Sequence, residues 1–236
     1  MRTLLRCWWR GIEFRKRLFA DPMADPSTHP DISTGQGAIG FGTVPPMPPR
    51  RAFLDPLGGP LPWLIVALEL ATFSIVFLAI ALLQRSNPTA FATGRSALSA
   101  PVGLAMTLLL LTSGALVANG VHAFRCNHLR AARVGFVAGA ALGGVFVVLK
   151  GLDYWHHAAL GHSLGTDLFW DTYVLATAFH LLHVLVGIVV LLGAVRAIGH
   201  PALRDPETSI VGPALFWHMC DVVWFFLWPL FYVAPA

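Results

Sequence analysis

The sequence predicts an all-α integral membrane protein built as a bundle of five transmembrane helices. Of its 236 residues, 56% are apolar and only 12% are charged, whereas soluble domains carry roughly 25% charged residues. Five apolar segments each approach the roughly 20 residues that a helix needs to cross a bilayer. We place these segments at Leu61–Gln84, Pro101–Phe124, Arg133–Leu152, Trp170–Arg196 and Pro213–Ala234.

The distribution of basic residues predicts the orientation of the bundle. If the five segments alternate in direction, thirteen of the sixteen Lys and Arg residues fall on the side of the N-terminus. Connections rich in Lys and Arg stay in the cytoplasm, so we expect the N-terminus inside and the C-terminus outside. The formal charge of +4 arises from the loops and the N-terminal tail, and it does not indicate nucleic-acid binding.

The chain ahead of the first span divides into two parts. Residues 1–20 place Arg2, Arg6 and Arg10 on one row of a helix with Leu and Trp opposite. This pattern is typical of a basic amphipathic helix at a membrane surface, although a disordered basic tail fits equally well. Residues 21–60 are rich in Pro and Gly and are predicted to form a linker. Residues 61–236 form the membrane domain.

Charged and histidine side chains interrupt the apolar segments, and they are the candidate functional residues. A polar side chain at mid-membrane costs free energy unless it meets a partner, so it indicates a function by default. The alternative for the histidines is that they only donate hydrogen bonds to neighbouring helices. The candidates, in chain order, are Glu69, Lys150, Asp153, His180, His183, His218 and Asp221.

Depths counted at about 1.5 Å per residue from the helix ends separate these candidates into two layers. The inner layer holds Glu69, His218 and Asp221; the outer layer holds Lys150, Asp153 and His180; His183 lies between them. We expect Glu69 to meet a partner, with His218 and Asp221 ranked first and His183 second. A histidine is favoured, because one ring nitrogen can donate to the carboxylate while the other bonds elsewhere.

Glycines and cysteines complete the inventory. Gly135, Gly139 and Gly143 recur at every fourth position, which favours close approach of a second helix from this chain or from a partner. The three cysteines are far apart and lack metal-ligand spacing, so we expect free thiols. No phosphate loop, nucleophile–base pair or metal-ligand set is evident, which predicts a chain without a catalytic site, metal or cofactor of its own.

Three motifs occur in order along the chain: TLLLLTSG at 107–114, FHLLHVLVG at 179–187 and WHMCDVVWFFLWPLFY at 217–232. Together with Glu69 in the first span and Asp153–Tyr154 after the third, they resemble the subunit III family of haem–copper oxidases. Leu181 stands where that family usually has glycine, and Lys150 stands where glutamine is commoner.

The resemblance implies an accessory subunit of a respiratory complex in the bacterial inner membrane. Such a subunit binds no haem or copper; it packs beside the catalytic subunit I, stabilises it and supports proton uptake during aerobic electron transport. Haem and copper are then expected in partner subunits, and membrane lipids, including a bound phospholipid, are further expected partners. Mitochondrial-type members have seven helices. The five helices predicted for this chain resemble the quinol-oxidase and NorE-type members instead.

Alternative functions follow from the same residues. A NorE-type subunit would associate with nitric oxide reductase instead of an oxygen-reducing enzyme. A haem-carrying membrane cytochrome could use His122 and His218 as axial ligands, and a Soret band in the isolated chain would indicate it. A small proton-coupled transporter could use Glu69 and the histidines, although the sequence lacks an inverted repeat or paired broken helices.

Overall fold

The computed structural model describes residues 60–200 and 206–233. The predicted basic helix at 1–20 and the linker up to residue 59 lie outside the described residues. The described part is helical and contains no strand. Its helices are α1 (Pro60–Ser86), α2 (Pro88–Ser96), α3 (Ala100–Arg125), α4 (Leu129–Ala159), α5 (Leu168–Ala197) and α6 (Pro206–Tyr232).

Five of these helices are long and apolar enough to cross a membrane, which confirms the predicted fold class. All five helices extend beyond the predicted spans, and two of them by at least five residues. Helix α4 has 31 residues and continues past Lys150, because the polar side chains in its last turns find partners inside the bundle. Helix α6 begins at Pro206 and includes Pro213; transmembrane helices tolerate an internal proline where neighbouring groups satisfy the freed backbone.

Helix α2 was absent from the sequence prediction, because it is only nine residues long and weakly apolar. Pro88 lies in its first turn, where a missing N–H does no harm. Its Phe91 ring packs edge-on against Phe169 of α5, with ring centroids 5.5 Å apart. The helix therefore fills the corner between α1 and α5.

Arg95 in the last turn of α2 caps the end of α6. Its Nε donates to the carbonyl oxygen of Phe231 at 3.3 Å, and Nη2 lies 3.5 Å from that of Leu230. A cation is favourable at a helix C-terminus, where carbonyl groups lack partners within the helix. Burial lowers the pKa of Arg95 from its usual range, yet a guanidinium stays protonated in proteins.

Helix α6 is the centre of the bundle. It packs against α1, α3 and α5, and 56% of its most apolar stretch is buried, compared with 11% for α1. Two of its tryptophans donate to hydroxyl groups of α3: Trp217 Nε1 to Ser113 at 3.1 Å, and Trp224 Nε1 to Thr107 at 3.1 Å. The first and third motifs of the sequence therefore meet inside the membrane, where these two indole N–H groups find acceptors.

The glycine row of α4 makes a close helix contact, and this contact lies within the chain. A Cβ on Gly135 would lie 2.8 Å from the Cα of Gly120 on α3, and one on Gly139 would lie 2.5 Å from Val117. Gly143 instead faces the ring of Trp217. Ser113 of α3 donates to the carbonyl oxygen of Gly139 at 2.7 Å. The predicted close approach is confirmed for the α3–α4 pair.

The two cysteines in the described part of the chain differ from each other. Cys220 is a buried free thiol, as expected for a cysteine within the bilayer. Cys126 is disulfide-bonded, so the expectation of a free thiol was wrong at this position. Cys126 is the C-cap residue of α3, at the end of the span rather than inside it, where a partner can reach the sulfur.

Candidate functional site in the membrane interior

Glu69 and His183 form a direct pair between α1 and α5. The distance from His183 Nε2 to Glu69 Oε2 is 3.0 Å. The Glu69 side chain is 27% exposed and that of His183 is 11% exposed, so the carboxylate keeps an opening to the outside of the bundle. The rings of Phe73 and Phe179 pack on His183 at 5.1 and 4.7 Å between centroids.

The hydrogen bonds of His183 restrict where its protons can be. Nδ1 lies 2.8 Å from the carbonyl oxygen of Phe179, which can only accept, so Nδ1 carries a hydrogen. Nε2 then either donates to an ionised Glu69 as imidazolium or accepts from a protonated Glu69. Both states have the same net charge, and they differ only in which partner holds the shared proton.

The histidine contact expected for Glu69 is confirmed, but the ranking by depth was wrong. His183, the second candidate, makes the contact, whereas His218 and Asp221 pair with each other. Depth along the membrane does not define the direction in which a side chain leaves its helix, because each residue turns the direction by about 100°. The three residues of the inner layer therefore belong to two separate pairs, and His183 completes the pair with Glu69.

Lys150 lies at the centre of a second polar cluster between α4, α5 and α6. The side chain is fully buried, and Nζ lies 2.8 Å from Asp153 Oδ2 and 2.5 Å from the Tyr173 hydroxyl. Nζ also lies 4.3 Å from the ring centroid of Tyr173, within the range of a cation–π interaction. Lys150 and Asp153, which the depth count placed in the same layer, are thus in direct contact.

Tyr173 and Tyr232 complete this cluster and were missed by the sequence analysis. Tyr173 donates its single hydrogen to Asp153 at 2.8 Å, so in the 2.8 Å contact between the two hydroxyls Tyr232 is the donor. His157 Nε2 lies 3.4 Å from the other carboxylate oxygen of Asp153. The sequence did offer a signal for this contact. Both tyrosines lie near the ends of their spans, and a buried lysine needs hydrogen-bond acceptors.

His180 is isolated from both clusters. It is completely buried, and neither ring nitrogen has a hydrogen-bond partner among the described residues. Its ring stacks on Trp224 with centroids 5.4 Å apart, and Phe146 meets it edge-on at 6.0 Å. The depth count put His180 in one layer with Lys150 and Asp153; it makes no hydrogen bond with either residue, because the ring of Trp224 occupies the space beside the imidazole.

His218 and Asp221 form the third polar unit, one turn apart on α6. Nδ1 lies 3.3 Å from Asp221 Oδ2; the imidazole is 41% exposed and the carboxylate 8% exposed. A side chain at Gly114 of α3 would collide with the carboxylate, so the glycine makes room for it. Asp221 Oδ1 is buried and has no hydrogen-bond partner among the described residues.

The side chains of these three units can bind protons, and the first two units connect neighbouring helices. In the described part of the chain, no three His, Cys, Asp or Glu residues are placed to hold a metal ion. An apolar cavity of about 410 Å³ lies between α1 and α5, lined by residues that include Val76, Ile80 and Phe179. Its lining suits an acyl chain, and bound phospholipid stays a prediction.

Comparison with known proteins identifies similar chains. The sequence model of the family described as cytochrome c oxidase subunit III matches residues 71–235. Quinol oxidase subunit 3 of Bacillus spizizenii is 31% identical over 168 residues, which cover 70% of this chain and 81% of that protein. The region that matches the family model includes every candidate residue except Glu69, which lies two positions before it.

Cytochrome c oxidase subunits 3 are also similar, over shorter regions. The protein of Thermostichus vulcanus is 30% identical over 129 residues, which cover 54% of this chain and 63% of that protein. The protein of Arabidopsis thaliana is 32% identical over 128 residues, or 53% and 47% of the two chains. The alignments thus span about half to two thirds of the length of these relatives.

Proposed function

The chain belongs to the cytochrome c oxidase subunit III family, and from this premise we propose that it is a non-catalytic subunit of a respiratory haem–copper oxidase. In this proposal it packs beside the catalytic subunit that carries haem and copper, stabilises that subunit, and supports proton uptake in the bacterial inner membrane. Oxygen is the proposed terminal acceptor, and no observation on this chain requires a nitric oxide reductase as its partner.

The observation that carries the proposal is the way in which the three sequence motifs meet. Thr107 and Ser113 of the first motif accept hydrogen bonds from Trp224 and Trp217 of the third. His180 of the second motif stacks on Trp224. The motif side chains are thus engaged with one another, as in a scaffold, and do not surround a substrate pocket.

The Glu69–His183 pair supports a contribution to proton uptake. It combines a carboxylate with a histidine that can exchange one proton at 3.0 Å, and its carboxylate is partly exposed at the side of the bundle. A group of this kind can hold a proton near a partner subunit without carrying net charge into the membrane. We infer that this pair is the functional element and that the Lys150 cluster is structural.

The proposal is tested by isolating the tagged full-length chain from its native membrane in mild detergent. We expect a catalytic subunit with haem and copper to co-purify, identified by mass spectrometry and by its absorption spectrum. A strain that lacks the chain should assemble a less stable oxidase with slower proton uptake. Purification of the chain alone with a Soret band of its own would instead identify a membrane cytochrome, and co-purification with a nitric oxide reductase would identify the NorE-type role.

A further inference from the structure

His218 presents a polar group on the outer surface of the bundle at mid-membrane. It lies ten residues inside the span Thr208–Tyr232, about 15 Å along the helix axis, and its side chain is 41% exposed. Around it the surface of α6 is apolar, with Val222 and Phe225 46% and 52% exposed. A hydrocarbon chain offers the imidazole no hydrogen bond, so this position is unfavourable against lipid alone.

The inner side of the His218 ring is already engaged. Nδ1 faces Asp221 Oδ2 at 3.3 Å, and Nε2 makes no hydrogen bond with the described residues. When Nδ1–H donates to an ionised Asp221, Nε2 of a neutral imidazole has a lone pair to offer. Asp221 Oδ1 also lacks a donor among the described residues. In that state the pair lacks hydrogen-bond donors and offers free acceptors.

The neighbouring surface of α3 is shaped for a helix. Ala115 and Ala118, the small residues that follow the buried Gly114, are exposed. Leu111 and Leu108 are exposed about one turn and two turns before Ala115. Small residues at such spacing allow a second backbone to approach closely within the membrane, where association depends on packing and on interhelical hydrogen bonds.

We propose that the face of α3 and α6 around His218 docks a transmembrane helix of a partner subunit, which donates an N–H or O–H group to His218 Nε2. This inference rests on the proposed function, since it specifies the surface through which the chain joins its complex. Asp221 is the positioning residue for the His218 ring, because its contact with Nδ1 orients Nε2 toward the partner.

Photo-crosslinking in the intact complex tests the surface. A photoreactive amino acid is introduced at Val222 or Leu111 on the proposed face, and at Leu182, an exposed α5 residue, as the matched control. We expect a crosslink to a partner polypeptide from the first two positions and to lipid only from Leu182. Partner crosslinks from Leu182 but not from Val222 and Leu111 would overturn the proposed surface while leaving the proposed function intact.

Three substitutions test the hydrogen bond. His218→Gln keeps a polar group near the position of Nε2, His218→Asn keeps only the contact with Asp221, and His218→Phe removes both. We expect the complex to dissociate in detergent several-fold faster with Asn or Phe, and at nearly the wild-type rate with Gln. If Asn behaves like the wild type, the histidine serves only Asp221 and the proposal is wrong. If no partner co-purifies with the wild-type chain, the proposed function itself fails.

Discussion

At the scale of single residues, Glu69 and His183 show how a carboxylate is accommodated in the membrane. A lone carboxylate at a helix centre is costly, but the contact at 3.0 Å makes the pair neutral in both positions of its proton. The backbone carbonyl of Phe179 orients the imidazole by accepting from Nδ1 at 2.8 Å. Nε2 is thereby directed at the carboxylate, which is why a proton can pass between the two side chains.

Substitutions at Glu69 should separate proton exchange from packing. Glu69→Gln keeps a hydrogen bond to His183 but cannot release a proton, so we expect near-normal stability of the complex and slower proton uptake. Glu69→Ala leaves Nε2 without its partner and should lower stability by about 1–3 kcal/mol. Thermal denaturation and a pH-indicating dye measure the two properties, and the haem spectrum should stay unchanged. Normal proton uptake by the Gln variant would make the pair purely structural.

Lys150 and Asp153 should respond differently, because they form a buried ion pair. Lys150→Met removes the cation that faces Asp153, whose side chain is only 12% exposed. Breaking a buried ion pair by removing one partner costs about 3–5 kcal/mol. We expect the free energy of unfolding, measured in mixed micelles, to fall by an amount near the lower end of this range. The double variant Lys150→Met with Asp153→Asn removes both charges and should recover most of it. A single variant as stable as the wild type would contradict this assignment.

At the scale of elements, the bundle depends on two kinds of helix contact. Helices α3 and α4 approach closely along the glycine row, where Gly135 faces the backbone of α3. Helix α6 approaches α3 through larger side chains, and its Trp217 and Trp224 donate to hydroxyl groups. Both contacts satisfy polar groups inside the membrane, as a transmembrane structure requires.

Gly139→Leu should disrupt the first kind of contact. The added side chain would meet Val117 and the Ser113 backbone of α3, and overpacking of this kind typically costs about 1–3 kcal/mol. We expect a lower free energy of unfolding and, through it, weaker assembly of the complex. Gly144→Leu is the matched control, because nothing lies within 4 Å of a Cβ at that glycine. Equal effects of the two substitutions would show that helix packing is not the cause.

At the scale of the whole molecule, the orientation in the membrane is a prediction from the basic residues. With thirteen Lys and Arg on one side and three on the other, the α4–α5 connection should face outward and the α3–α4 connection the cytoplasm. Single cysteines at Ser163 and His128, in a chain whose native cysteines are replaced by serine, should label differently in intact cells. An impermeant maleimide should label only the cysteine at position 163. Labelling only at position 128 would show that the chain has the opposite orientation.

The sequence predicted the membrane spans well because hydropathy is summed over about 20 residues, so errors at single positions hardly matter. It missed α2, whose packing against Phe169 depends on a helix far along the chain. It identified Glu69 and His183 as members of the polar set, since a charged or histidine residue in an apolar segment is conspicuous. It could not pair them correctly, because the pairing depends on how each helix is rotated in the bundle.

The sequence by itself determined the fold class, the five spans, the polar residues within them and the family, because these properties depend on composition, periodicity and local motifs. Only the tertiary structure decided which residues meet: His183 with Glu69, Tyr173 with Lys150 and Tyr232, and His180 with Trp224 and Phe146. Partners more than a few turns apart are brought together by the order and rotation of packed helices. That arrangement is set by complementary side-chain shapes across the whole bundle.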